Sequence, residues 1–371
     1  METYRLNSKL VENNKEYIIQ TSNNVSLGIV ETEVFVDGKL ADTNRVPHPE
    51  QLCPEEVMSL VQNTHSDKKY EIEELLSAAK ETLDTANPDM IMNLAFAFYY
   101  KKFHEEAKYL LRHVINLKPE SHAAYNCLGL VELELGENQE ALASAQKAVD
   151  LKPEYADYRN NLGEAFLSME MYHKAVKEFE RAIDINLYYS EAYYNYGLTL
   201  LMNAIRQLDT DLFKDFLSKC NDYFSKAEII NPEYKVSEFE KGLIALNAQN
   251  LHESLKHFLA VRDYHKELKK QKSAPYYMKH VLHPNLVSEK VLAERILFLQ
   301  QEIEENPTYV DLYAELARCY VNQSYLYWNK GIDQYKQTLR LNPSFAKIKD
   351  KIKYAEKALS DLDEAVKNLT D

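Results

Sequence analysis

The sequence predicts a mainly α-helical solenoid of repeated helix hairpins, an α-superhelix preceded by a small β hairpin or meander. Three observations carry that expectation. The run Asn116-Leu117-Lys118-Pro119-Glu120 returns as Asp150-Leu151-Lys152-Pro153-Glu154, 34 residues on (116 to 150), and is echoed at Ile230-Asn231-Pro232-Glu233 and Leu341-Asn342-Pro343. Only 8 glycines and 11 prolines punctuate 371 residues, which favours long helices over a many-turned sheet. The first fifty residues differ in kind: Tyr17–Thr21 and Ile29–Val36 are rich in β-branched and aromatic residues.

The elements follow in chain order. Residues 1–50 form the small β segment, with Asp37-Gly38 as a two-residue hairpin turn and Pro47-His48-Pro49 as its boundary. Residues 51–87 form a linking and capping helix that begins at Pro54. Glu55 and Glu56 in its first turn suit the helix dipole. Ile72, Leu75, Leu76, Ala79 and Leu83 give this helix one apolar face to dock on the array.

The array itself spans 88–262, with units starting at Pro88, His122, Ala156 and Ser190 and a fifth near 235. Small residues recur at the eighth and twentieth positions of each unit and large ones around them. The first unit carries Ile91, Leu94, Ala95, Phe98, Ala107, Leu111 and Val114; the third carries Leu162, Gly163, Phe166, Ala175, Phe179 and Ala182. The second unit fits except for Glu132 at position 11, and in the third Leu187 replaces the closing proline. Small residues let paired helices approach closely, while a proline after each second helix stops it. Gly129, Gly163 and Gly197 sit inside helices, where glycine costs about 1 kcal/mol against alanine; close packing is the reason to accept that cost.

This pattern resembles the tetratricopeptide repeat family of helix-turn-helix units. The resemblance implies a superhelix whose concave face binds protein. The fourth unit has about eleven extra residues, Ile205 to Phe216, between its helices, and the fifth is carried by Gly242, Ala245, Ser254 and Phe258. Residues 263–285 read as an irregular basic loop around Lys266, Lys269, Lys270 and Lys272, with a turn at His283-Pro284. Residues 286–346 read as further repeat-like helices. In the last unit, Tyr313, Leu316, Ala317 and Tyr320 mark a first helix and Gly331, Tyr335 and Pro343 a second. Residues 347–371 read as a charged capping helix.

Positions 2, 5, 6, 9 and 13 of each first helix point away from the packed face, into the concave groove. There stand Met92, Asn93, Phe96, Tyr100, Asn126, Leu130, Asn160, Asn161, Glu164, Tyr194, Asn195 and Leu198. Asparagine recurs at position 6 as Asn93, Asn161 and Asn195, which resembles the asparagine ladder of the repeat domain of O-linked N-acetylglucosamine transferase. Such amides can bridge to the peptide groups of an extended chain; the other reading is that they bond their own helix or water. The apolar members form a patch that marks a partner site, or else is covered by the chain's own segments. The chaperone-binding members of the family hold a terminal carboxylate with Lys and Arg at positions 2, 5 and 6. Here Asp89, Asp157, Glu191 and asparagines stand there, which points to a neutral or basic, partly apolar ligand.

No phosphate-cradling loop, nucleophile elbow or paired-cysteine motif occurs, so no catalytic residue, cofactor or metal site is expected. His280 and His283 lie three apart, but a solvated loop accounts for them. The four scattered cysteines favour a reducing compartment. With no leader-like amino terminus and no membrane-length apolar run, a cytoplasmic protein is expected. A net charge of −14 disfavours nucleic acid, and Tyr276 and Tyr277 beside the lysines do little to change that. Two functions remain: a scaffold binding an extended peptide or partner protein in the groove, or a self-associating subunit whose groove is filled by its own chain or another copy.

Overall fold

The computed structural model describes residues 3–12, 14–48, 52–84, 86–206, 215–282, 289–305, 310–342 and 346–370. Strands β1 (Arg5–Glu12), β2 (Lys15–Asn24), β3 (Ile29–Val36) and β4 (Lys39–Pro47) pair antiparallel in chain order. Val36 pairs with Lys39, and the intervening Asp37 and Gly38 have φ of 48° and 79°, the double positive φ that a tight hairpin turn needs. β1 lies at the sheet edge, and its alternate residues are exposed, so its charged sequence carries little apolar signal.

Helix α1 (Pro54–Asp84) covers the inner sheet face with a stripe at three- and four-residue spacing: Val57, Val61, His65, Lys68, Ile72 and Leu75. Two members of that stripe are polar, and both are satisfied. His65 bonds Ser8 Oγ at 2.8 Å and Thr21 Oγ1 at 3.0 Å, while Lys68 pairs with Asp42 and Glu71 at 2.8 Å each. Beyond the sheet, Tyr17 donates to Glu106 at 2.9 Å and packs edge-on against Phe103. One core therefore runs from Tyr17 and Ile19 through Ile72 and Leu75 to Phe98 and Leu111.

Five helix pairs follow: α2 (Pro88–Tyr100) with α3 (His104–Leu117), α4 (His122–Glu134) with α5 (Asn138–Leu151), and α6 (Ala156–Ser168) with α7 (Tyr172–Ile185). They are succeeded by α8 (Ser190–Arg206) with α9 (Phe216–Ile230) and α10 (Ser237–Asn247) with α11 (Leu251–Leu282). Most of the expected insertion, residues 207–214, lies outside the described residues. The close packing is visible atom by atom. A Cβ built on Gly163 would meet the Phe179 ring at 2.5 Å, and one on Gly242 would meet the Phe258 ring at 2.9 Å. In the second unit, where Ala145 replaces the ring, Gly129 instead approaches the backbone of Ala141 and Ala145. Glu132, the misfit at position 11, is buried yet accepts a hydrogen bond from Ser144 at 2.7 Å; burial pushes its carboxyl above the usual range.

Two expectations are corrected. Residues 263–282 are not an irregular loop: α11 continues through them as one 32-residue helix. Residues 266–272 consist wholly of Lys, Glu, Gln and Leu, all strong helix formers, so propensity outweighs the high charge there. Likewise the last unit is not a hairpin. α12 (Glu289–Glu305) packs against α13 (Val310–Leu341), a single helix that runs straight through Gly331, and α14 (Ala346–Thr370) lies along it. Gly331 has nothing within 4 Å of its would-be Cβ, so it marks no close approach there. Pro343 lies outside the described residues, as do His283 and Pro284.

Candidate partner-binding groove

The concave face is made by the first helices α2, α4, α6 and α8, and the extension of α11 lies across it. From its pairing with α10, α11 passes α8 and reaches α2 and α1. Its lysines meet the carboxylates of successive first helices: Lys269 reaches Glu191 of α8 at 3.4 Å, Lys266 reaches Glu164 of α6 at 2.9 Å, and Lys270 reaches Glu134 of α4 at 2.9 Å. Farther on, the Tyr277 ring packs tilted against Phe96, centroids 4.8 Å apart, and stacks on Tyr100 at 5.2 Å. At the other end, Tyr194 donates to the carbonyl of Phe258 at 2.6 Å.

These pairs reshape the local titration. Burial raises the pKa of Glu164, but the charge and hydrogen bond of Lys266, with Arg262 and Asn195, outweigh it and hold the carboxyl below its usual range. Glu164 in turn raises Lys266 above the ordinary lysine value, against the desolvation that would lower it. Glu134 is also held low, Lys270 offsetting its burial. Lys270 additionally sits 5.4 Å over the Tyr99 ring, a cation–π contact. Nearby His104 is half-buried beside Lys270, and desolvation with that charge pushes it down to about 4.

Between α11 and the first helices remains a cavity of about 570 Å³. Of the groove residues expected from the sequence, Phe96, Tyr100, Asn126, Leu130, Asn161, Glu164 and Asn195 line it. Met92, Asn93, Asn160 and Leu198 do not; Met92, Asn160 and Leu198 are buried in packing, and Asn93 is half-buried. Tyr194 is also buried, stacked on Tyr234, and borders a second cavity of about 230 Å³ on the other side of α11. The apolar surface expected at Met92, Tyr194 and Leu198 is thus covered by the chain's own helices.

The asparagines turn to one another. Asn161 Nδ2 donates to Asn126 Oδ1 at 2.9 Å, and Asn195 Nδ2 donates to Asn160 Oδ1 and to Glu164, each at 3.0 Å. They stitch adjacent first helices together. Asn126 and Asn161 are only half-buried on the cavity wall, where spare amide capacity faces the opening.

Tyr99, Cys127, Glu134 and the α11 lysines also line the cavity, and sequence reasoning missed them. Glu134 stands at position 13 of its unit, a groove position by the same rule that selected Tyr100. Lys266 and Lys270, four apart, share one face of a helix, a signal hidden by reading the stretch as loop. The lysines of that stretch face carboxylates, and Lys272 pairs with Glu233 and Glu302. Among the described residues no group of His, Cys, Asp and Glu could hold a metal, and no helix is long and apolar enough to cross a membrane. The side chain of His280 lies outside the described residues, as does that of Tyr276.

No curated protein matches the chain. Among solved structures, it resembles YrrB, described as a TPR protein with an unusual peptide-binding site: 18% identity over 53% of this chain and 97% of that one, TM-score 0.35. It also resembles MamA from Desulfovibrio magneticus RS-1 (19% identity, 48% of this chain and 95% of that one, TM-score 0.37). PilF of Pseudomonas aeruginosa is a third (18% identity, 62% and 98%, TM-score 0.38). At these values nothing about ligand or assembly is carried to this chain. Residues 120–187, which span the second and third helix pairs, match the tetratricopeptide repeat family model, so with their hairpin geometry the chain carries tetratricopeptide repeats there.

Proposed function

We propose that this chain is a protein-interaction scaffold, without a catalytic step, that takes a partner polypeptide in the groove between α2, α4, α6 and α11. The observation that carries the reading is the cavity of about 570 Å³ left beside α11. Its walls combine apolar Phe96 and Leu130, amides of Asn126 and Asn161, and the carboxylates Glu134 and Glu164, which at present hold Lys270 and Lys266 of α11. Apolar area supplies affinity, and the few placed polar groups fix register and orientation. Such walls favour a neutral or basic, partly apolar segment. A cytoplasmic setting, with no nucleic acid or membrane partner, belongs to the same proposal.

A photoreactive benzophenone side chain placed in turn at Leu130 and at Tyr109 tests this in cells. Tyr109 is 63% exposed on the second helix α3, away from the cavity. Adducts with another protein are expected from Leu130 and not from Tyr109. Equal adducts from both positions, or adducts from Tyr109 alone, contradict the groove.

One observation favours a second reading, self-association with the groove filled by the chain itself: α11 already lies there. On that reading Leu130 cross-links within the chain and gives no adduct with another protein, and light scattering finds a dimer or larger species without added ligand.

A further inference from the structure

The resident helix is itself a record of what the groove accepts. A helix with its side chains is about 10–12 Å across, and the groove holds one along α8, α6, α4 and α2. The groove's carboxylates are set out to match it. Glu164 and Glu134 stand on adjacent first helices and receive Lys266 and Lys270, one turn apart on α11. Seven residues past Lys270, Tyr277 fills the aromatic slot of Phe96 and Tyr100.

The seating is shallow between its ends. From Arg262 to Ser273 the only buried side chain is Lys270; apolar burial resumes at Ala274 and Met278. Cavities of about 570 and 230 Å³ flank the same stretch. Ion pairs, rather than apolar area, hold this part of the helix in place; Glu164 and Lys270 are largely buried, so a helix that takes its place must bring the same positive charges. A helix of matching charge can therefore compete for the same carboxylates. Intramolecular tethering gives α11 an effective concentration of roughly millimolar, which the competitor must exceed in affinity.

We propose that the groove's partner is an α-helix carrying two lysines one turn apart and an aromatic residue two turns farther on, and that it enters by displacing residues 262–282 of α11. This rests on the groove being the partner site, and it replaces the extended peptide expected from the sequence with a helix.

The test uses the full chain and a labelled synthetic peptide of its own residues 259–278, followed by fluorescence anisotropy. The peptide is expected to bind the parent weakly. The Lys266→Gln/Lys270→Gln variant of the full chain, its resident helix loosened, should bind it about tenfold more tightly. A peptide with the same two lysines replaced by glutamine should lose about tenfold toward that variant. Adding Glu134→Gln and Glu164→Gln to the variant should weaken binding of the lysine peptide likewise. Melting curves of each variant verify that the array is folded. No gain in the lysine variant, or equal affinity for the two peptides, overturns the proposal. So does a parent that is a dimer by light scattering and dissociates in the lysine variant, since a second copy then supplies the helix. Cross-links from Leu130 to another protein, with no peptide binding, would leave the groove standing and remove only the helix chemistry.

Discussion

Asn161 and Asn195 occupy the same repeat position yet have different surroundings. Both border the cavity, but Asn195 is 1% exposed and donates to Asn160 and Glu164, whereas Asn161 is half-buried and donates to Asn126. Asn195→Ala leaves buried acceptors unsatisfied and should cost about 1–3 kcal/mol. Asn161→Ala should cost less than half of that; equal costs in chemical denaturation would contradict the assignment. The recurrence of asparagine was legible in the sequence, but its bonding was not, because the acceptors lie in a neighbouring repeat.

His104 supplies a pH signature at the same scale. Its folded-state value near 4 lies below the ordinary 6.5 of an unfolded chain, chiefly from desolvation and then from Lys270. Lys102 also lowers it, while Glu134 and Glu106 oppose. Because the unfolded chain takes up the proton first, the contribution is full above about 6.5 and is lost as pH falls toward 4. Between pH 6.5 and 5, where the depressed carboxylates remain charged, stability should fall by an amount on the order of 1–2 kcal/mol. His104→Gln should flatten that slope; an unchanged slope would place the titration elsewhere.

For whole elements, glycine separates packing from mere tolerance. Gly163→Ala would drive a methyl into the fully buried Phe179 ring and should cost about 1–3 kcal/mol. Gly331→Ala meets nothing and should stabilise α13 by up to about 1 kcal/mol. Thermal melts of the two variants should therefore shift in opposite directions, and a shift in the same direction would mean that Gly163 is not a contact. The same contrast explains which elements could be read from sequence. Repeats with a small residue facing a ring announce their hairpins, and the double-positive turn Asp37-Gly38 announces its own. β1 and the α11 extension announce nothing by hydrophobic period, since one is an exposed edge and the other is seated by charge. At φ 66° and 57°, Lys102 and Glu170 take the left-handed turn that Gly136 takes in the unit between them, so even the turn residue is not a dependable marker.

Across the whole molecule, the N-terminal sheet and α1 close one end of the array, and α11 returns across the concave face to join that end. Met278 belongs to the core that also holds Tyr17, Ile72 and Phe98, so the groove's occupant is tied into the first repeat and the sheet. Lys102 adds a link, pairing with Glu267 of α11 at 3.0 Å. The sequence left open whether the groove is covered by the chain's own segments, because each groove position was judged within its own repeat. What covers it comes from more than a hundred residues away along the chain, as in the Lys266–Glu164 and Lys270–Glu134 pairs.

The central claim is that residues 262–282 form a helix seated in the groove by its lysines. Hydrogen exchange of the intact chain, followed by mass spectrometry, addresses it most directly. Amides of 262–278 should exchange slowly in the parent, and their protection should fall in Lys266→Gln/Lys270→Gln while that of α6 and α7 is retained. Exchange within seconds in the parent, or protection indifferent to the two lysines, would contradict it.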